Sequence, residues 1–281
     1  MTSFSRIILI CLSIAALISP SCFALAADLN ENASALNESV DALLEIKDDS
    51  ALSEAERGLK EIDARKKVIV EAVRLSVAEI NGLKENLSKN KPAEAKLKLK
   101  AASFFSYLDE AAAYFESAGI KAGGLTDLEK IKTLAGELKD YRENNYNPRL
   151  QKIVDFFLWL QIDNLISAAE TRWQKINLEI KKFEKYELID PGAFSADMEN
   201  AQKYLAGAKE ISREAGKMII ETNLDELNPP LSDADAIEKL SAEPAIKPSV
   251  RELLGNSLKN LRSSYEIFVK ISRDAIKILQ P

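Results

Sequence analysis

The sequence predicts an all-α protein, an elongated bundle of about five long helices packed as antiparallel hairpins in the manner of coiled coils. Three observations lead there. Apolar residues recur at steps of three and four through most of the chain, which places them on one helical face. Every proline beyond residue 26 falls between these periodic segments or at the last position, never inside one. No stretch alternates apolar and polar residues as a half-buried strand does. At ~1.5 Å per residue, helices of roughly 25–40 residues would be ~40–60 Å long.

Residues 1–26 read as a secretory signal. Arg6 supplies the one positive charge, Ile7 to Ile18 is an almost unbroken apolar run, Pro20 ends it, and Ala24-Leu25-Ala26 is a small-x-small cleavage site. The run is short for the ~30 Å bilayer core, so a retained anchor is the second choice. A lipid anchor at Cys22 fits poorly. The leucine expected three residues upstream is missing, and Phe23 to Ala27 is too apolar for the usual polar tether. The protein is therefore expected to be exported, to the periplasm, the cell envelope or the outside.

Residues 27–118 hold the N-terminal helices. A modest amphipathic helix is expected from Asp28 to Asp49, through Leu36, Val40 and Leu43. Ser53 and Glu56 form a capping box for the next one. There Leu59, Ile62, Ile69, Val73, Ile80, Leu83 and Leu87 lie on a heptad seam, broken at Lys66 and Ser76. Pro92 opens a third helix with alternating large and small seam residues: Leu97, Ala101, Phe104, Leu108, Ala111, Phe115 and Ala118. That alternation predicts a tightly packed hairpin with the helix before it.

Residues 119–147 are expected to connect two parts. Gly119 reads as a C-cap and Gly123-Gly124 as a flexible link. Thr126 with Glu129 reads as a capping box opening a short helix, and Asn144 to Pro148 as a break. Residues 148–281 form the C-terminal bundle. Its centre is one helix from Pro148 to Leu188, apolar nearly all round at Phe156-Phe157-Leu158-Trp159-Leu160 and continued by Trp173, Ile176, Ile180 and Phe183. Asp190-Pro191-Gly192 should open the next helix, with its stripe from Phe194 through Met198, Ala201, Leu205, Ala208, Ser212, Ala215 and Ile219. An acidic, Pro-containing linker at 223–248 precedes a last helix burying Val250, Leu254, Leu258, Leu261, Tyr265, Phe268, Ile276 and Leu279.

Composition excludes several chemistries. Cys11 and Cys22 both lie in the leader and the chain has no histidine. The mature chain then lacks disulfides, Cys/His zinc sites, triads with a His base and haem ligation through His or Cys. The roughly 255 residues left must rely on their core. With Arg6 the only charge in residues 1–26, the 38 Lys and Arg against 44 Asp and Glu shift from a net −6 to −7 on cleavage. That acidity argues against nucleic-acid binding, which needs basic surface to displace counterions.

Sharper motifs mostly fail. Asp233-Ala234-Asp235 starts like a calcium loop, but Glu238 replaces its glycine and Pro244 its last ligand. Ser88-x-x-Lys91 lacks the companion motifs of a Ser/Lys nucleophile. Gly123-Gly124 lacks the spacing of a phosphate loop. No metal site and no cofactor is expected. Two candidates remain beside their plainer readings. Lys89, Lys91, Lys96, Lys98 and Lys100 gather beside Phe104, Phe105 and Tyr107, a surface for anionic lipid or wall polymer, or simply a solvated helix start ahead of a core stripe. Asp155 and Asp163 form a buried acidic pair, or a wet strip on the central helix.

The sequence thus favours an exported, non-enzymatic bundle acting by binding a protein or an envelope component. A membrane-active bundle of the pore-forming kind is the alternative, and an enzyme using carboxylates and lysines the third.

Overall fold

The computed structural model describes residues 20–90, 92, 94–222 and 248–279. The leader's apolar run, Lys91 and the acidic segment up to 247 lie outside the described residues. Among these the chain is all-α, with no strand and seven α-helices: α1 (Pro20–Asp48), α2 (Glu54–Lys89), α3 (Ala95–Gly124), α4 (Leu128–Tyr141), α5 (Asn147–Lys185), α6 (Ser195–Glu221) and α7 (Val250–Leu279). Every helix but α4 has 27 residues or more. That makes six long helices rather than five, because α1 starts at Pro20, ahead of the expected Asp28, and extends over 29 residues. The fold separates into two compact units, Ile18–Gln151 and, for the described residues, Lys152 onward.

In the first unit, α2 starts as its sequence dictates. The Ser53 hydroxyl accepts from the Glu56 amide, and the Glu56 carboxylate accepts from the Ser53 amide. All seven seam residues of α3 are buried. The hairpin runs antiparallel to α2, with Val73 against Gly119 near one end and Lys84 paired with Asp109 further along. Gly119 is therefore no C-cap. A Cβ there would lie 3.2 Å from the Val73 side chain, so the missing side chain lets two helices approach, and α3 continues to Gly124. Leu59, placed on the seam by its spacing, is exposed. The N-cap of α4 is Asp127, not Thr126, because its carboxylate is the group that reaches the Glu129 and Lys130 amides.

The expected break at Asn144–Pro148 does not occur. A π-turn, Arg142–Tyr146, joins α4 to α5 without a loop, with the Asn147 amide donating to the Arg142 carbonyl. Pro148 has no N–H for the carbonyl of Asn144 and its ring crowds that turn. A widened turn accommodates both problems and keeps the helix going.

The second unit is a bundle of α5, α6 and α7 around Ile162, Ile166, Leu205, Leu254, Leu261 and Phe268. Trp159 Nε1 donates to the Ser212 carbonyl at 3.0 Å, and Trp173 Nε1 to the Met198 carbonyl at 3.2 Å. These bonds fix an antiparallel register between α5 and α6. Across the other face of α6, Ser257 donates to the Ala208 carbonyl at 2.8 Å and Ser264 to the Ala201 carbonyl at 3.2 Å, again antiparallel. The centre of α5 is not apolar-buried all round. Phe156 and Leu160 are buried, but Leu158 is 36 % exposed, because a three-helix bundle covers one face of each helix and not its whole circumference. In α7, Leu258 is exposed, whereas Leu253, Ser257, Ser264, Ile271 and Ala275 are buried. Ser249 and Glu252 cap α7 reciprocally.

Asp190-Pro191-Gly192 does not cap α6 directly. It forms a turn in which Gly192 has φ 78°, the Ala193 amide donates to the Asp190 carbonyl, and the helix begins at Ser195. The end of α5 is closed by the Leu188 amide on the Phe183 carbonyl and the Glu187 amide on the Glu184 carbonyl, with Glu187 at φ 54°. This closing geometry ordinarily carries glycine at the left-handed residue.

Two predictions arise. Glu187→Gly removes the strain of a left-handed non-glycine residue and should stabilise the second unit by about 0.5–1 kcal/mol in urea unfolding. Gly216→Ala should do the reverse. The new Cβ would lie 2.6 Å from the Trp159 ring. The expected loss is about 2–3 kcal/mol, with a changed tryptophan emission as the indole is displaced.

Candidate functional site

All the expected site residues but Lys91 are among the described residues. Lys89 is exposed at the end of α2 and pairs with Glu85. Lys96 and Lys98 are exposed on the first turns of α3, and the Lys100 ammonium lies 5.5 Å over the Phe104 ring. At ~100° per residue, Lys98 points away from the face that carries Lys96 and Lys100. Phe104 is in the core and Tyr107 is half-buried, so neither adds an aromatic surface to these lysines.

Asp155 and Asp163 are not a buried pair. The Asp155 side chain is 13 % exposed and accepts from Arg251 Nε of α7 at 3.1 Å. Asp163 is exposed and sits near Lys209 of α6, whose ammonium is held above its usual range chiefly by the bond to Glu170 and in small part by Asp163. The eight-residue spacing, ~12 Å of helix, sets the two carboxylates against different partner helices. Among the described residues no group of three His, Cys, Asp or Glu could hold a metal ion. No described helix is long and apolar enough to cross a membrane.

What the first unit does assemble is a polar and aromatic network around the π-turn. Arg142 Nη1 donates to the Ser76 hydroxyl at 3.0 Å, and Ser76 donates to the Ala72 carbonyl at 2.9 Å. Arg142 Nη2 and the Tyr146 hydroxyl both reach Glu79 Oε2, at 3.4 and 3.2 Å. The Tyr107 hydroxyl and Arg149 Nη1 each donate to the Asn145 carbonyl at 3.3 Å. Tyr114 stacks on Tyr141 with ring centres 3.7 Å apart, and Phe115 meets Tyr141 and Tyr146 edge-on. Ser76 was the visible trace of this network in the sequence, as a polar residue on an apolar seam. Arg142, Glu79, Tyr107 and Tyr146 carried no spacing signal because their partners lie 38 to 67 residues away.

Beside this network, α2 and α4 enclose a groove of about 280 Å³. Its walls are Ile69, Ala72 and Val73 from α2 and Ala135 and Leu138 from α4, over Phe115 of α3. Arg142 and Ser76 close one end, with Lys139 a helical turn away from Arg142. A smaller cavity of about 80 Å³ in the second unit lies against Ile176, Ile180, Phe183 and Ile271. Neither brings together a nucleophile, a base and an oxyanion-type donor set. The chain matches no protein-family model, no curated protein and no solved structure.

The network has a measurable titration signature. Burial first, and then neighbouring Tyr141, pushes the Tyr107 hydroxyl well above the ordinary phenol range. Burial followed by the Glu79 carboxylate does the same to Tyr146. With folded values raised above the ~10 of an unfolded tyrosine, the stability these phenols contribute is whole below pH ~10 and is lost as pH rises beyond it. In an ultraviolet tyrosinate titration, at least two of the seven tyrosines should lag and ionise only as helicity is lost. All seven titrating together in the still-helical chain would contradict this.

Proposed function

We propose that this protein is an exported, non-enzymatic helical bundle that works by holding another protein or an envelope component. The observation that carries this reading is the groove between α2 and α4, apolar along its walls and polar at one end, the usual make-up of a binding site. The leader-like layout of residues 1–26, followed by a chain without Cys or His, supports export and leaves carboxylates, lysines and hydroxyls as the reactive groups. No carboxylate lines the groove, so the side chain most often used as a base in a chain without histidine is absent from its walls.

One observation favours a second reading, membrane activity at a lipid surface. Leu99 is 75 % exposed on the first turns of α3, beside the exposed Lys96 and Lys98. An apolar side chain among cations suits an anionic interface.

Co-flotation of the purified chain with neutral and anionic vesicles, with circular dichroism alongside, separates the two. The binding reading expects a strongly helical chain that stays in the aqueous fraction with both vesicles, and that is cross-linked in the envelope through a photoreactive residue at position 135. Flotation that is stronger with anionic lipid, and abolished by Lys96→Glu with Lys98→Glu, would replace it with the membrane reading.

A further inference from the structure

The groove between α2 and α4 has a shape and a polarity that narrow its occupant. Its walls are helices, whose backbone N–H and C=O groups are bonded within each helix, so an extended peptide would find no main-chain partners there. At about 280 Å³ it is also too small to admit a helix, whose diameter with side chains is ~10–12 Å. Since α3 runs antiparallel to α2, through Val73–Gly119 and Lys84–Asp109, and to α4, through Lys121–Glu137 and Tyr114–Tyr141, α2 and α4 run in the same direction. From Val68 and Ala135 at one end to Ser76 and Arg142 at the other, the groove follows about two turns of helix, ~10–12 Å. A narrow apolar slot of that length accommodates one hydrocarbon chain.

The charge at its polar end is specific. Arg142 is already balanced by Glu79 at 3.4 Å. Lys139 is exposed, lines the groove and makes no ion pair among the described residues, although Asp140 and Glu143 are its neighbours in sequence. Its ammonium is the cation left over beside an apolar slot. No carboxylate lines the groove itself.

We propose that this groove binds a medium-chain fatty carboxylate, with the alkyl chain along Ile69, Ala72, Val73 and Leu138 and the carboxylate against Lys139. This rests on the reading of the protein as a binding module and adds the chemical class of its ligand. The alkyl chain gains by leaving water, and the ammonium discriminates the sign of the headgroup.

The test is calorimetric titration of the full chain with decanoate below its micelle concentration, beside decyltrimethylammonium, which has the same chain and the opposite charge. One saturable decanoate site per chain is expected, at least about tenfold tighter than for the cation. Lys139→Glu should weaken decanoate about tenfold and remove the preference between the two amphiphiles. Ala135→Trp, at an exposed groove position, should fill the slot and abolish binding of both while circular dichroism stays unchanged. Three results would each overturn the proposal: no saturable decanoate binding, equal affinity for both amphiphiles, or undiminished binding in helical Ala135→Trp. Failure here leaves the wider binding reading to stand or fall on flotation and cross-linking, because those readouts require no amphiphile.

Discussion

Close helix–helix approach is the constraint on which both units depend, and it is met by removing side chains where two backbones must near each other. In the second unit Ala201, Ala208 and Ala215 recur every seven residues along α6 and are fully buried. Opposite them, Ser257 and Ser264 of α7 are small enough to let α6 approach and polar enough to bond its carbonyls. On the other side, Gly216 leaves room for the Trp159 ring. Four side-chain donors thereby end on carbonyls of one helix, each using a lone pair that the intrahelical bond leaves free. Each bond contributes on the order of 1 kcal/mol net, but leaving a buried hydroxyl or indole N–H unpaired costs more. These bonds therefore serve chiefly to select one register among the many that a smooth apolar seam permits. Gly119 against Val73 is the same device in the first unit.

The π-turn shows how a local conflict becomes a tertiary feature. Pro148 cannot complete an ordinary helical turn, yet a break would leave exposed carbonyls beside a packed core. Widening the turn at Arg142–Tyr146 lets the Asn145 carbonyl take side-chain donors from Tyr107 and Arg149. The widened turn also sets Arg142 over Ser76 and Glu79 of α2. This polar end joins the α2–α4 groove to the network around the π-turn. A widened helical turn often accompanies functional sites for the same reason, since it frees backbone groups and redirects side chains.

Function follows from what the chain lacks as much as from what it holds. Without histidine, and with both cysteines ahead of residue 26, a catalytic centre would depend on carboxylates, lysines and hydroxyls brought together in a cavity. Many of the described acids instead lie in ion pairs such as Glu61 with Arg65 and Asp197 with Lys270, each typically worth less than about 1 kcal/mol. Glu71 and Asp155 are the most enclosed of these, and their partners Arg74 and Arg251 give them a structural occupation. The α2–α4 groove is a place where apolar walls and a cation without an ion-pair partner coincide.

Helical periodicity, proline placement and capping chemistry were legible in the sequence because they are local. The α3 stripe from Leu97 to Ala118 and the Ser53–Glu56 cap could be read from residues a few positions apart, and so could the stripe of α6. Spacing alone could not separate a helix end from a helix contact at Gly119, since both call for glycine and differ only in whether Val73 is nearby. Nor could it foresee that Leu59 and Leu258 would be exposed while Ser257 and Ser264 were buried, because a seam position is buried only where a partner covers it. The sequence by itself determined an all-α chain and the helical stripes available for packing. Tertiary structure alone decided the registers, the continuity through Pro148 and the groove with its lysine. Those depend on contacts between residues far apart in the chain, and local periodicity carries no record of them.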